Sequence, residues 1–138
     1  MKTKLNSLLI STVILLVVVM AGCSTTKGME ISFNGKECVY SGPAEIKAGY
    51  NSVNFKAAKD KSYGIEVVKL LDNKTKADLD AWTDTDPPSW VETIHGTGNR
   101  SEDFEWSLKV DSGPIYLVCF TGYPIEKLNS IGPIEVIK

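Results

Sequence analysis

Apolar and polar residues alternate with a period of two along most of the chain after Gly28, the pattern of strands with one buried face. In Met29–Phe33, Ile31 and Phe33 fall on one side; Val53, Phe55 and Ala57 alternate with Asn54 and Lys56. Phe104, Trp106, Leu108 and Val110 alternate without a break with Glu105, Ser107 and Lys109, the clearest half-buried strand in the chain. Tyr63–Leu71 is a longer β-branched run, and Ile115–Phe120 is apolar on both sides, which predicts a central strand covered on both faces. Glu37–Tyr40, Trp90–Thr97 and Ile134–Ile137 supply further strands. Asn34-Gly35, Ser41-Gly42-Pro43, Ala48-Gly49, Lys59–Ser62, Gly96–Arg100 and Asp111–Pro114 separate them as turns.

Thr75–Trp82 is the one credible helix, with Asp72 or Asn73 as its cap and Ala77, Leu79, Ala81 and Trp82 as a short apolar surface. It is too short to hold alone and must pack on a sheet. Asp84–Ser89, with Pro87-Pro88, is an extended loop. Seven or eight short strands at spacings near ten residues, with one small helix, predict an all-β fold: a Greek-key β-sandwich.

The first 22 residues follow a different rule. Lys2 and Lys4 precede an apolar run from Leu8 to Met20, and Met20-Ala21-Gly22-Cys23 ends it with small residues. The run is shorter than the roughly 20 residues of a permanent membrane span, so it reads as a signal peptide. The placement of Cys23 after Ala21-Gly22 resembles the lipobox of bacterial lipoproteins, with Met20 where Leu is usual. That resemblance implies that Cys23 becomes a diacylglyceryl-modified N-terminus, lipid-anchored on the extracytoplasmic face of a cell membrane or outer membrane. Residues 23–28 are then a lipidated tether, and 29–138 form one domain.

Without Lys2 and Lys4 the chain carries 13 Lys and Arg against 17 Asp and Glu, a net charge of −4. No basic block is present, which argues against nucleic acid as a partner. Anchoring therefore falls to acyl chains, more than one of which is needed for stable attachment. With Cys23 lipidated, Cys38 and Cys119 are left, and two cysteines outside the cytoplasm have a single connectivity. A Cys38–Cys119 disulfide is expected.

The segments ECVYSGP, IEVVKL followed by a helix, Pro87-Pro88-Ser89-Trp90-Val91 and GPIYLVCF, over about 100 residues from Met29 onward, resemble small extracytoplasmic cupredoxin-like proteins of bacteria. The resemblance implies the β-sandwich of the plastocyanin and azurin type. It also implies where copper would bind: two imidazoles, a thiolate and a weak axial ligand. The first His would fall near Ser62–Gly64, the Cys at Cys119, and the second His and Met between Thr121 and Pro133. Ser62, Tyr63 and Gly64 stand at the first site; Tyr123, Pro124, Leu128 and Ile131 stand in the last segment. No metal ligand and no cofactor is therefore carried over from the family.

His95 is the only histidine. A non-standard copper set of Cys119, His95 and Cys38, serving electron transfer, is the alternative reading; a hydrolase centred on His95 lacks a Gly-x-Ser-x-Gly elbow. Asp78, Asp80, Asp84 and Asp86 form an acidic patch around Trp82, without the Gly and terminal Glu of a calcium loop. Trp82, Trp90 and Tyr123, with Tyr50, are candidates for an aromatic surface toward a protein or glycan partner. Asn73-Lys74-Thr75 and Asn99-Arg100-Ser101 match glycosylation acceptors, which in a bacterial lipoprotein have no expected role. The expectation is a non-enzymatic, membrane-anchored binding or structural module.

Overall fold

A computed structural model describes residues 28–34, 36–58, 61–84, 86–122 and 126–138. The leader and Cys23 lie outside the described residues, as do Tyr123 and Pro124. The described chain forms nine strands and one helix. Strands β1 (Met29–Phe33), β2 (Cys38–Ser41), β4 (Gly49–Lys56) and β7 (Phe104–Val110) make one sheet in the order β2-β1-β4-β7. Strands β3 (Glu45–Lys47), β5 (Tyr63–Leu70), β6 (Val91–Gly96), β8 (Ile115–Thr121) and β9 (Lys127–Ile137) make the other, in the order β3-β9-β8-β5-β6. Most neighbours are antiparallel, but β1 runs parallel to β4 and β3 parallel to β9. The helix, α1 (Lys76–Ala81), lies against β9.

The period-two residues meet between the sheets. Ile31, Val53, Phe55, Leu108 and Val110 face Tyr63, Ile65, Val67, Ile115, Leu117, Cys119 and Ile134, all buried. Strand β8 is buried along both faces, as its sequence predicts, because the outer face of its sheet is covered as well. There Val68, Tyr116, Val118 and Phe120 pack under Leu79 and Trp82, with Leu70, Trp90 and Val91 at the margin. Burying Leu79 contributes about 1.5–3 kcal/mol, which is how a six-residue helix is held in place.

Three expectations need correction. The ninth strand is β3, three residues long with only Ile46 buried, too short to display a period. The final strand begins at Lys127 and not at Ile134: Lys127, Asn129, Ser130 and Ile131 pair with Phe120, Cys119, Val118 and Leu117. Its register shifts twice, and Gly132-Pro133 lies beside one shift, which hides the strand from a periodicity reading. The helix cap is Thr75, not Asp72 or Asn73, which instead take positive φ values of 54° and 57° in the preceding turn.

Backbone conformation accounts for one glycine and a close contact for another. At Gly49 the backbone enters β4 with φ of 111°, a region L side chains rarely adopt. At Gly122 a Cβ would collide with Ser62, whose carbonyl accepts the Gly122 N–H at 2.7 Å. No helix among the described residues is long and apolar enough to cross a membrane.

Candidate functional site

The most developed polar constellation sits where α1 meets β9. Thr75 opens the helix with a capping box: its hydroxyl accepts from the Asp78 N–H, and the Asp78 carboxylate accepts from the Thr75 N–H at 2.9 Å. Asp78 also pairs with Lys74 at 3.1 Å. At the other end of the helix, where carbonyls have no partner within it, Lys127 reaches across from β9. Its ammonium donates to the carbonyl oxygens of Leu79, Asp80 (3.3 Å) and Trp82 (2.8 Å), and lies 5.4 Å from the centre of the Trp82 ring. Asp80 accepts from the Ser130 hydroxyl with one oxygen and pairs with Lys76 at 2.6 Å with the other. Beside this knot lies a cleft of about 650 Å³, bounded by Glu37, Lys76, Trp82, Glu126, Lys127 and Asn129.

Electrostatics here favour a settled charge pattern. Burial works to raise the Asp80 pKa, but hydrogen bonds from Lys76 and Ser130 and the charges of Lys76 and Lys127 outweigh it, leaving the carboxyl below its ordinary value. Burial is also the main influence on Lys127 and lowers its pKa, with Asp80 pulling the other way. Asp78 is lowered by its backbone hydrogen bond to Thr75 first, then by Lys74 and the Thr75 hydroxyl. A carboxylate with both oxygens engaged is a poor general base. The arrangement is suited to holding α1 and leaves a cleft wall of mixed charge, with Glu37, Lys76 and Glu126 on it.

The cysteines meet as expected. Cys38 and Cys119 are joined with their Cα atoms 6.2 Å apart, linking β2 of one sheet to β8 of the other. Asn129, paired with Cys119 on the neighbouring strand, bridges the same gap: its side chain accepts from the Cys38 N–H at 2.9 Å and donates to the Cys38 carbonyl at 3.0 Å. Nothing local in the sequence marks Asn129, because its partner is 91 residues away. The same holds for Lys127, whose partners are 45 to 48 residues away.

The other candidates are dispersed. His95, on β6, stacks on Trp106 of the opposite sheet with ring centroids 6.0 Å apart. Since the two sulfurs are bonded to each other, neither is a thiolate that could join His95 in the set Cys119, His95 and Cys38. Among the described residues no three His, Cys, Asp or Glu side chains converge as a metal site would require. Trp82 is only 8% exposed, and its indole nitrogen is buried with no partner among the described residues. Trp90 is half-buried against the same cluster, under Lys74 at 5.5 Å. Tyr50 is far more exposed, at 76%. Asp78 and Asp80 are committed to α1, while Asp86 lines a separate hollow with Gly64 and Gly98, so the four aspartates do not act as one patch.

Comparison with family models, with curated proteins and with solved structures finds no match for this chain.

Proposed function

We propose that this chain is an extracytoplasmic lipoprotein, anchored through Cys23, whose cupredoxin-like sandwich serves as a non-enzymatic binding or structural module without a type 1 copper site. The observation that carries the reading is the disulfide in the core. Disulfides persist in oxidising compartments, in agreement with the leader and with Cys23 after Ala21-Gly22. The same bond occupies Cys119, the position at which the family resemblance places the copper thiolate. The succession of β8 and β9 at the end of the chain and the short helix after β5 support the cupredoxin-like assignment. The cleft bounded by Glu37, Trp82, Lys127 and Asn129 is the contact surface in this reading. Its mixed charges beside the Trp82 ring suit a peptide or glycan segment better than an apolar small molecule.

Two experiments test the proposal. Cys23→Ser should move the protein from the membrane to the soluble fraction and abolish acyl labelling; continued labelling would overturn the anchor. Copper added to the reduced mature domain, with Cys38 and Cys119 as free thiols, should give no stoichiometric, intense thiolate-to-copper absorption. A stoichiometric band of that kind would replace this reading with an electron-transfer protein.

A further inference from the structure

We propose that the end of the sandwich from which Gly28 emerges is a membrane-contacting face, with Tyr50 and Ile137 seated in the interfacial layer of a phospholipid bilayer. The inference rests on the lipid anchor at Cys23 proposed above and gives that anchor an orientation.

Met29 pairs with Val53 in parallel register, which sets Gly28 beside Ser52 in the first half of β4. Ile137 closes the same end, its carbonyl accepting the Ala48 N–H at 2.7 Å. Gly28, Pro43, Lys47, Tyr50, Asn51 and Ile137 together line a hollow of about 540 Å³. Tyr50 and Ile137, at 76% and 43% exposure, are two of the large hydrophobic side chains this fold leaves in the open. Both stand around the residue at which the tether enters. The five residues from Ser24 to Gly28 span at most about 18 Å, so acyl chains on Cys23 hold this end, and not the opposite one, against the bilayer. A tyrosine ring, apolar in body and polar at its tip, is suited to the water–lipid boundary. Lys47 is exposed on the rim of the same hollow, where its ammonium is placed to pair with lipid phosphate. The occupant is accordingly a lipid surface held by two signals, acyl chains and an exposed aromatic contact.

The test uses the full lipidated chain in vesicles of phosphatidylethanolamine and phosphatidylglycerol. Amine acylation is read by mass spectrometry at Lys47 and Lys138, at this end, and at Lys36 and Lys61, at the other. Relative to a Cys23→Ser chain in solution, acylation of Lys47 and Lys138 should fall several-fold while Lys36 and Lys61 stay unchanged. Tyr50→Ser, at an exposed position that leaves the core intact, should float with the vesicles yet lose most of that protection. Equal labelling of both ends by a protein that still floats would overturn the membrane face and leave the anchor standing. Full protection in Tyr50→Ser would assign the effect to the tether and overturn the role of the aromatic contact. Failure of the unmodified chain to float would overturn the anchor and this inference together.

Discussion

Lys127 is the residue on which the outer face of the larger sheet depends. Its ammonium satisfies three carbonyl oxygens at the end of α1, where a cation is also favoured by the helix dipole. Burial opposes the charge and lowers its pKa, so the net effect is a contest between partial desolvation and charge-assisted hydrogen bonds. Lys127 keeps part of its surface in water, and the hydrogen bonds prevail. Lys127→Met, which retains most of the stem, should therefore destabilise the domain by about 2 kcal/mol in urea unfolding. A neutral result would show that desolvation cancels the bonds. Nothing around Lys127 in the sequence announces this role, because its partners are 45 to 48 residues away. Asn129 is equally silent: an amide on a strand looks solvated until the fold brings Cys38 to it. Cys38 and Cys119, by contrast, were legible because counting left them only each other.

Elements were legible where a periodic pattern ran long enough to be read. Seven residues of unbroken alternation identify β7, and six consecutive apolar residues identify β8 as central. Strand β3 and the first half of β9 carry no such pattern, one for want of length and the other because its register shifts against β8. The helix lies where its apolar spacing predicts, but its cap is Thr75, which with Asp78 three residues on forms a capping box. Thr75→Ala should cost about 1 kcal/mol, measured by thermal or urea unfolding, whereas Asp72→Gly, which suits the positive φ at that position, should leave the cap intact. The helix also gives the domain an acid-sensitive element. Asp78 and Asp80 both sit below the ordinary carboxylate value in the folded chain. Their contribution is therefore fully present above the unfolded carboxylate pKa, near 4, and is lost as pH falls through the lower folded values. The urea midpoint should drop on acidification across that window, and Asp78→Asn should flatten the drop. An unchanged pH profile in that variant would remove Asp78 from the account.

At the scale of the whole molecule, the two sheets are held by a shared apolar core and by one covalent link across it. Hydrophobic burial between the sheets is non-directional; the Cys38–Cys119 bond and the Asn129 bridge tie specific strands of the two sheets, β2 to β8 and β2 to β9. Cys38 lies on an edge strand of four residues, paired along one side by β1, so β2 has few ladder bonds of its own and gains from a staple. The bond closes a sequence separation of 81 residues, for which restriction of the unfolded chain is worth about 4 to 5 kcal/mol. That is a large share of the roughly 5–15 kcal/mol by which domains are stable. Cys38→Ala with Cys119→Ala, or reduction of the unaltered protein, should accordingly lower unfolding stability by about 4 kcal/mol. Because both sulfurs are buried in the core, the alanine pair adds a cavity cost, while reduction adds none. The difference between the two measurements therefore separates the entropic staple from packing, and a loss below about 1 kcal/mol on reduction would mean that β2 is held by Asn129 and the core without the bond.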